Sequence, residues 1–227
     1  NNVISPHIRT VSPDVTTNYT ITNVTDNIGC SNIGDGSALV TVNSLPTAIL
    51  SGTTYICNGS STELKVALTG EAPWSLTFSD LSTPVVTSEN PYVRIVNPIS
   101  TTLYTLNSVS DNRGCSNSGT GSAMITVNPL PTATISGTTS ICYGNSTDIT
   151  VSLTGTAPFF LTFNDGSIAY VNSYTYKKTV MPATSTNYYI TKVVDAFGCS
   201  NTGTGIVTIS LNQLPTALIT GDAEICV

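Results

Sequence analysis

Charge is scarce in this sequence. Asp, Glu, Lys and Arg together make up 9% of its 227 residues, against about 25% in an average soluble domain. Seven cations spread along a chain of net charge −6 exclude a surface that tracks phosphates, which needs clustered Lys and Arg. No nucleic-acid partner is expected. There is one histidine, His7, so a Ser–His–Asp relay has one possible location. His7 stands where related segments carry Tyr92 and Tyr176, which marks it as strand packing. No stretch approaches the ~20 apolar residues of a membrane span, and the first residues do not read as a signal peptide. Direct membrane insertion of this segment is therefore not expected. There is no Cys-x-x-Cys pair with histidine partners, which argues against zinc, and no pair of carboxylates recurs as a glycosidase needs. The expectation is a protein with no catalytic residues, no metal and no cofactor.

Repetition is what the sequence does have, and self-similarity at a fixed period decides the architecture. Val-Ser-Pro-Asp-Val-Thr-Thr-Asn-Tyr begins at Val11 and returns in altered form at Val96 and Val180. Leu-Pro-Thr-Ala occurs at Leu45, Leu130 and Leu214, and Ser-Gly-Thr-Thr at Ser51 and Ser136. The period is about 85 residues, with one residue lost between Asp80 and Tyr104. That length exceeds a solenoid repeat and suits a small self-contained sandwich. The chain divides into the C-terminal part of one repeat (1–45), two complete repeats (46–130 and 131–214) and the start of another (215–227), so both termini read as cuts in a longer polypeptide. Pro46, Pro131 and Pro215 fix φ at the short junctions, which points to a semi-rigid rod.

Within one period, apolar and polar residues alternate with the period of two that marks a half-buried strand. Leu64, Val66 and Leu68 share one face, matched by Ile149, Val151 and Leu153. Trp74, Leu76 and Phe78 are matched by Phe159, Leu161 and Phe163, and Ala123, Ile125 and Val127 by Val207, Ile209 and Leu211. No helical period of useful length occurs. About seven short strands per period, broken by Gly, Pro, Asn and Asp, predict an all-β fold of tandem immunoglobulin-like sandwiches. Trp74 occupies the place of a buried aromatic on the third strand. Tyr19, Tyr104 and Tyr188 resemble a tyrosine corner. Val24, Val109 and Val193 have the wrong parity relative to those tyrosines, which calls for a bulge or a strand buried on both faces.

Six cysteines fall at two recurring positions. Cys57, Cys142 and Cys226 follow an isoleucine before the second strand, and Cys30, Cys115 and Cys199 lie in Gly-Cys-Ser-Asn. Such spacing in a secreted β-protein implies disulfides. The simpler pairing is within a repeat, Cys57 to Cys115 and Cys142 to Cys199, with Cys30 and Cys226 bonded outside the segment. The two positions lie near opposite ends of an ordinary sandwich, so the alternative is a staple between neighbours such as Cys57 to Cys199. Asp26, Asp111 and Asp195 recur before the Gly-Cys loop. Their uneven neighbours favour a turn-forming role over calcium. Arg9, Arg94 and Lys178 recur at one strand position, and local pairing is the reading preferred to a polysaccharide-binding stripe.

Pro-Thr-Ala-x-Ile-Ser-Gly-Thr-Thr-x-Ile-Cys-x-Gly, Leu-Thr-Gly-x-Ala-Pro, Thr-x-Tyr and Asp-x-x-Gly-Cys-Ser-Asn resemble the immunoglobulin-like repeats of giant secreted surface proteins of Bacteroidetes, among them gliding-motility adhesins. The resemblance covers essentially the whole chain. It implies a stalk or filament segment at the bacterial cell surface, exported by the type IX route. It also implies neighbouring repeats as the main partners, with surface polysaccharide or other cell-surface proteins as further candidates. The alternatives are spacer modules of an extracellular hydrolase, a carbohydrate-binding module using Tyr92, Tyr143 and Tyr174, or a self-associating sheath.

Overall fold

A computed structural model describes residues 4 and 6–226. Every regular element among them is a strand, as the period-two patterning predicts. The first part of the chain forms β1 (Thr17–Thr20), β2 (Val24–Thr25), β3 (Ser31–Asn32) and β4 (Ser37–Val40). Here β1 pairs with β4 and β2 with β3, both antiparallel.

The next period forms β5 (Ala48–Ser51), β6 (Thr54–Cys57), β7 (Thr62–Leu68), β8 (Trp74–Phe78), β9 (Val85–Thr87), β10 (Tyr92–Val96), β11 (Thr102–Ser110), β12 (Ser116–Ser118) and β13 (Thr120–Asn128). The strands follow one hydrogen-bonded path, β10-β7-β5-β13-β11-β8-β9, with β12 on β11 and β6 on β13, and a short parallel contact of Thr120 and Gly121 with Ile49 and Leu50 links the β10-β7-β5 layer to the β13-β11-β8-β9 layer. The opening strand changes partner partway. β5 lies antiparallel on β7, whereas β6 pairs with β13 in the opposite layer. Gly52, between them, has φ +131°, a backbone that only glycine adopts readily.

The third period repeats the plan. It comprises β14 (Thr132–Ser136), β15 (Thr139–Cys142), β16 (Thr147–Thr154), β17 (Phe159–Phe163), β18 (Ile168–Val171), β19 (Thr175–Val180), β20 (Thr186–Tyr188), β21 (Ile190–Val194), β22 (Ser200–Asn201) and β23 (Val207–Asn212). One layer is β14-β16-β19, and the other is built from β15-β23-β20 and β18-β17-β21-β22. Layers of this order, antiparallel except where the opening strand lies parallel to the last one, make these two periods immunoglobulin-like sandwiches.

The chain forms two compact units. The first comprises Asn1–Thr54, Thr62–Val96 and Leu103–Ile125, and the second Tyr55–Ser61, Asn97–Thr102 and Thr126–Val227. Leu64, Val66, Leu76, Phe78, Val109 and Ile125 are fully buried in the first. Ile149, Val151, Phe159, Leu161, Val193 and Ile209 fill the second. Burying side chains of this size stabilises the fold by roughly 1.5–3 kcal/mol each.

A bulge settles the parity of Val109. The β11–β8 register shifts between Leu106 and Ser108, so Tyr104, Leu106 and Val109 all face inward. A Cβ on Gly119 would lie 2.5 Å from the Leu106 carbonyl oxygen at that bulge. Gly203 stands in the same relation to Ile190, where β21 shifts register on β17.

Candidate functional site

The chemistry concentrates at the two cysteine positions, and the backbone explains each. Cys57 ends β6 and opens a turn closed by a hydrogen bond from the Ser60 N–H to the Cys57 carbonyl. The same turn follows Cys142, where the Asn145 N–H donates to the Cys142 carbonyl. The other position is shaped by an aspartate. In the second unit the Asp195 carboxylate accepts from the Phe197 and Cys199 N–H groups, both at 3.0 Å. The Asp195 N–H also donates to the Cys199 carbonyl. Asp111 holds Arg113 and Cys115 in the same way, and Asp26 holds Ile28 and Cys30. These carboxylates satisfy a tight turn, as the recurring Asp-x-x-Gly-Cys predicts, and the turn sets where the sulfur points.

The structure bonds Cys57 to Cys199, with Cα atoms 5.5 Å apart, inside the reach of a disulfide. This corrects the expectation of pairing within a repeat. The physical reason is visible in the period 131–214. Parallel pairing sets Cys142 beside Asn212 at the end of β23, whereas Cys199 precedes β22 and lies before β23 begins. Six residues of extended strand separate those ends, about 20 Å where a disulfide tolerates about 7 Å. The same strand order governs Cys57 and Cys115. Cys115 and Cys142 are therefore free thiols here, together with Cys30 and Cys226.

The junction prolines are fastened by the same motif. The Asn117 side-chain amide donates to the Pro46 carbonyl, and that of Asn201 to the Pro131 carbonyl, both at 3.1 Å. Pro46 and Pro131 are buried, whereas Pro215 is exposed. Trp74 is buried and its indole N–H donates to the Thr69 carbonyl at 2.9 Å.

Two of the three recurring cations, Arg94 and Lys178, are committed to packing, whereas Arg9 is exposed. Arg94 lies 4.7 Å from the Phe78 ring centroid and donates to both Asp80 carboxylate oxygens. Lys178 lies 4.2 Å from that of Phe163 and 2.6 Å from Asp165. The Arg94 hydrogen bonds hold the Asp80 carboxyl below its ordinary pKa. Burial pushes the Asp165 carboxyl up, but hydrogen bonds from Lys178 and Ser167 outweigh it and bring the pKa to about 2.

Tyr104 and Tyr188 are buried beneath these cations, and burial raises both phenol pKa values. Tyr19 is half-buried. Among the described residues, no backbone hydrogen bond to a tyrosine hydroxyl is present. The Tyr104 and Tyr188 rings serve as platforms for the cations, and the sequence resemblance to a tyrosine corner does not extend to its hydrogen bond.

Of the aromatic residues considered for sugar binding, Tyr92 leans on Phe78, Tyr174 meets Phe159 at a steep angle, and Tyr143 and Tyr174 are both exposed. His7 is exposed, beside Arg9, Tyr19 and Asp35 along an open cleft. Sequence reasoning missed an exposed pair, Phe160 and Tyr170, stacked edge to face at 4.9 Å on the outer side of β17 and β18. Their alternation out of phase with Phe159 and Leu161 was its signal. No helix among the described residues is long and apolar enough to cross a membrane.

No protein-family model matches the chain, and no curated protein matches it in sequence. Among solved structures, an I-band fragment of titin aligns with 76% of this chain and 67% of its own, at TM-score 0.47 and 14% identity. A three-domain titin variant with a glutamate-to-alanine substitution aligns with 79% and 69%, at 0.42 and 15%. Four immunoglobulin domains of Sidekick-1 align with 84% and 57%, at 0.39 and 11%. The fold assignment rests on the strand order above.

Proposed function

We propose that this chain is a load-bearing segment of a large secreted adhesin, a stalk or filament that serves surface attachment or gliding motility in a bacterium of the Bacteroidetes type. The observation that carries this reading is the Cys57–Cys199 bond, which ties one sequence period covalently to the next. A bond of that kind builds no pocket; it limits how far the chain can be drawn out. It also needs an oxidising compartment to persist, which supports an extracellular location. Asp111 and Asp195, Asn117 and Asn201, and Arg94 and Lys178 support the same reading, since each is engaged in holding a turn, a junction or a core ring. Neighbouring repeats are the principal partners, and polysaccharide or other surface proteins are targets for a binding region elsewhere in such an adhesin. The test is immunogold electron microscopy on intact cells of the source organism with antibody against this chain, before and after protease shaving. Label standing off the cell surface and removed by protease is the expected result. Label confined to the cell interior would refute the proposal.

A further inference from the structure

We infer that the Cys57–Cys199 bond is one rung of a continuous ladder, in which the Ile-Cys cysteine of each repeat bonds the Gly-Cys-Ser-Asn cysteine of the repeat that follows it. Cys142 and Cys115 are then the open halves of the adjoining rungs. Cys142 takes the Gly-Cys cysteine of a further copy of this repeat, and Cys115 takes the Ile-Cys cysteine of a preceding one.

Both halves of the observed bond recur in shape as well as in sequence. The donor side is the end of a strand closed by a four-residue turn, with Gly59 at φ +88° after Cys57 and Gly144 at φ +86° after Cys142. The acceptor side is the aspartate-held turn. In it the carboxylate accepts from the cysteine N–H at 3.0 Å for Cys199, 3.1 Å for Cys115 and 2.9 Å for Cys30. These turns have one geometry whether or not the sulfur is bonded, so each half is formed before its partner arrives. Pairing within a repeat is closed to Cys142 by the length of β23, as argued above. A thiol poised in the bonded geometry therefore points to a partner from another repeat. The inference uses only this bond and the sequence period, and does not depend on the proposed function.

The reaction is a thiol–disulfide exchange. The two cysteines lose two protons and two electrons as one S–S bond forms, and a disulfide oxidant, oxidised glutathione in the test, is reduced to two thiols.

The experiment extends the chain so that residues 131–214 occur twice in succession, with Tyr143→Phe and Thr202→Ser in the second copy as mass tags that tell its Cys142 and Cys199 peptides from those of the first, refolds it with oxidised and reduced glutathione, and maps disulfides by mass spectrometry of unreduced peptides. Peptides joining Cys57 to the untagged Cys199 and the untagged Cys142 to the tagged Cys199 are expected in equal amounts, one of each per chain, whereas Cys142 joined to Cys199 of its own copy refutes the ladder. The Cys57 link reports folding independently. If it forms while Cys142 stays alkylatable, bonds to Cys115 or Cys226, or cross-links two chains, the ladder is refuted. If the Cys57 link itself fails to form, the bond on which the ladder is built is refuted.

Discussion

Opening the Cys57–Cys199 bond lengthens this chain under load by a calculable amount. The bonded cysteines are 142 residues apart in sequence. While the bond holds, force applied to the two termini crosses it directly, and the residues between bear no tension. Once the bond is reduced, that whole stretch enters the force path. At ~3.5 Å per extended residue, the gain in contour length is roughly 500 Å. The assay is single-molecule pulling with handles at both termini. Cys30, Cys115, Cys142 and Cys226 are replaced by serine so that no other thiol can exchange. Unfolding in the oxidised state should release a total contour length about 500 Å shorter than in reductant, and Cys199→Ser should behave as reduced under both conditions. Equal lengths with and without reductant would refute the pairing. The same loop gives an equilibrium effect. By the loop-entropy relation a crosslink of this span stabilises by about 5 kcal/mol as an upper value, so denaturant midpoints should fall on reduction.

Three further outcomes are expected. Asp195→Ala leaves the Phe197 and Cys199 N–H groups without their acceptor at a buried site and should lower urea-unfolding stability by about 2–3 kcal/mol, with slower reoxidation of the Cys57–Cys199 bond. Gly119→Ala drives a Cβ against the Leu106 carbonyl and should destabilise by about 2–4 kcal/mol, read as a drop in Tm, whereas Ser118→Ala at the exposed neighbour should change little. The Asp165 carboxyl has a pKa of about 2 in the fold against an ordinary 3.8. Its stabilising contribution is therefore present above pH 4 and is lost as pH falls toward 2. Because the carboxylate is 37% exposed, the loss should be only about 1 kcal/mol after screening. Urea titrations at stepped pH should show it, and Lys178→Met should flatten it.

The layers of the sandwich were legible because alternation leaves little choice. Leu64, Val66 and Leu68 can share a face in no other regular structure, and their buried positions match those of Ile149, Val151 and Leu153. The aspartates were legible for a similar reason, since Asp-x-x-Gly-Cys is a local turn whose hydrogen bonds close within five residues. Parity at Val109 was harder. A bulge is a property of two strands, and its sign in the sequence is Gly119, which lies between β12 and β13 and packs against Leu106 at the bulge. Disulfide pairing was harder still. Both cysteine positions recur once per period, so spacing alone fits a bond within a repeat and a bond between repeats equally well. What separates them is that β15 runs parallel to β23, which sends the two cysteines of one period to opposite ends. That parallel pairing follows from the switch of the opening strand between layers, a long-range event that Ser-Gly-Thr-Thr marks without specifying.

The direction of the bond, from an earlier Ile-Cys to a later Gly-Cys, has a mechanical consequence that pairing within repeats lacks. Rungs in this register overlap, because Cys142 lies inside the loop that Cys57 and Cys199 close. With the ladder complete, the shortest covalent path enters at Cys57, crosses to Cys199 and follows the backbone to Cys226, where it crosses again. Only the stretch from Cys199 to Cys226, about 27 residues or roughly 90 Å when extended, is free to lengthen in every two periods. Without rungs the same two periods would draw out to roughly 600 Å. Bonds within repeats would also shorten the path, but each would leave its junction and flanking strands in line with the force. Overlapping rungs take every second junction out of the load path, as Cys57–Cys199 does for Leu130–Pro131, so a tandem array keeps half as many junctions under tension. That is the arrangement a long tether needs if it is to transmit force without yielding, and it arises from the placement of two cysteines per repeat on opposite ends of one sandwich.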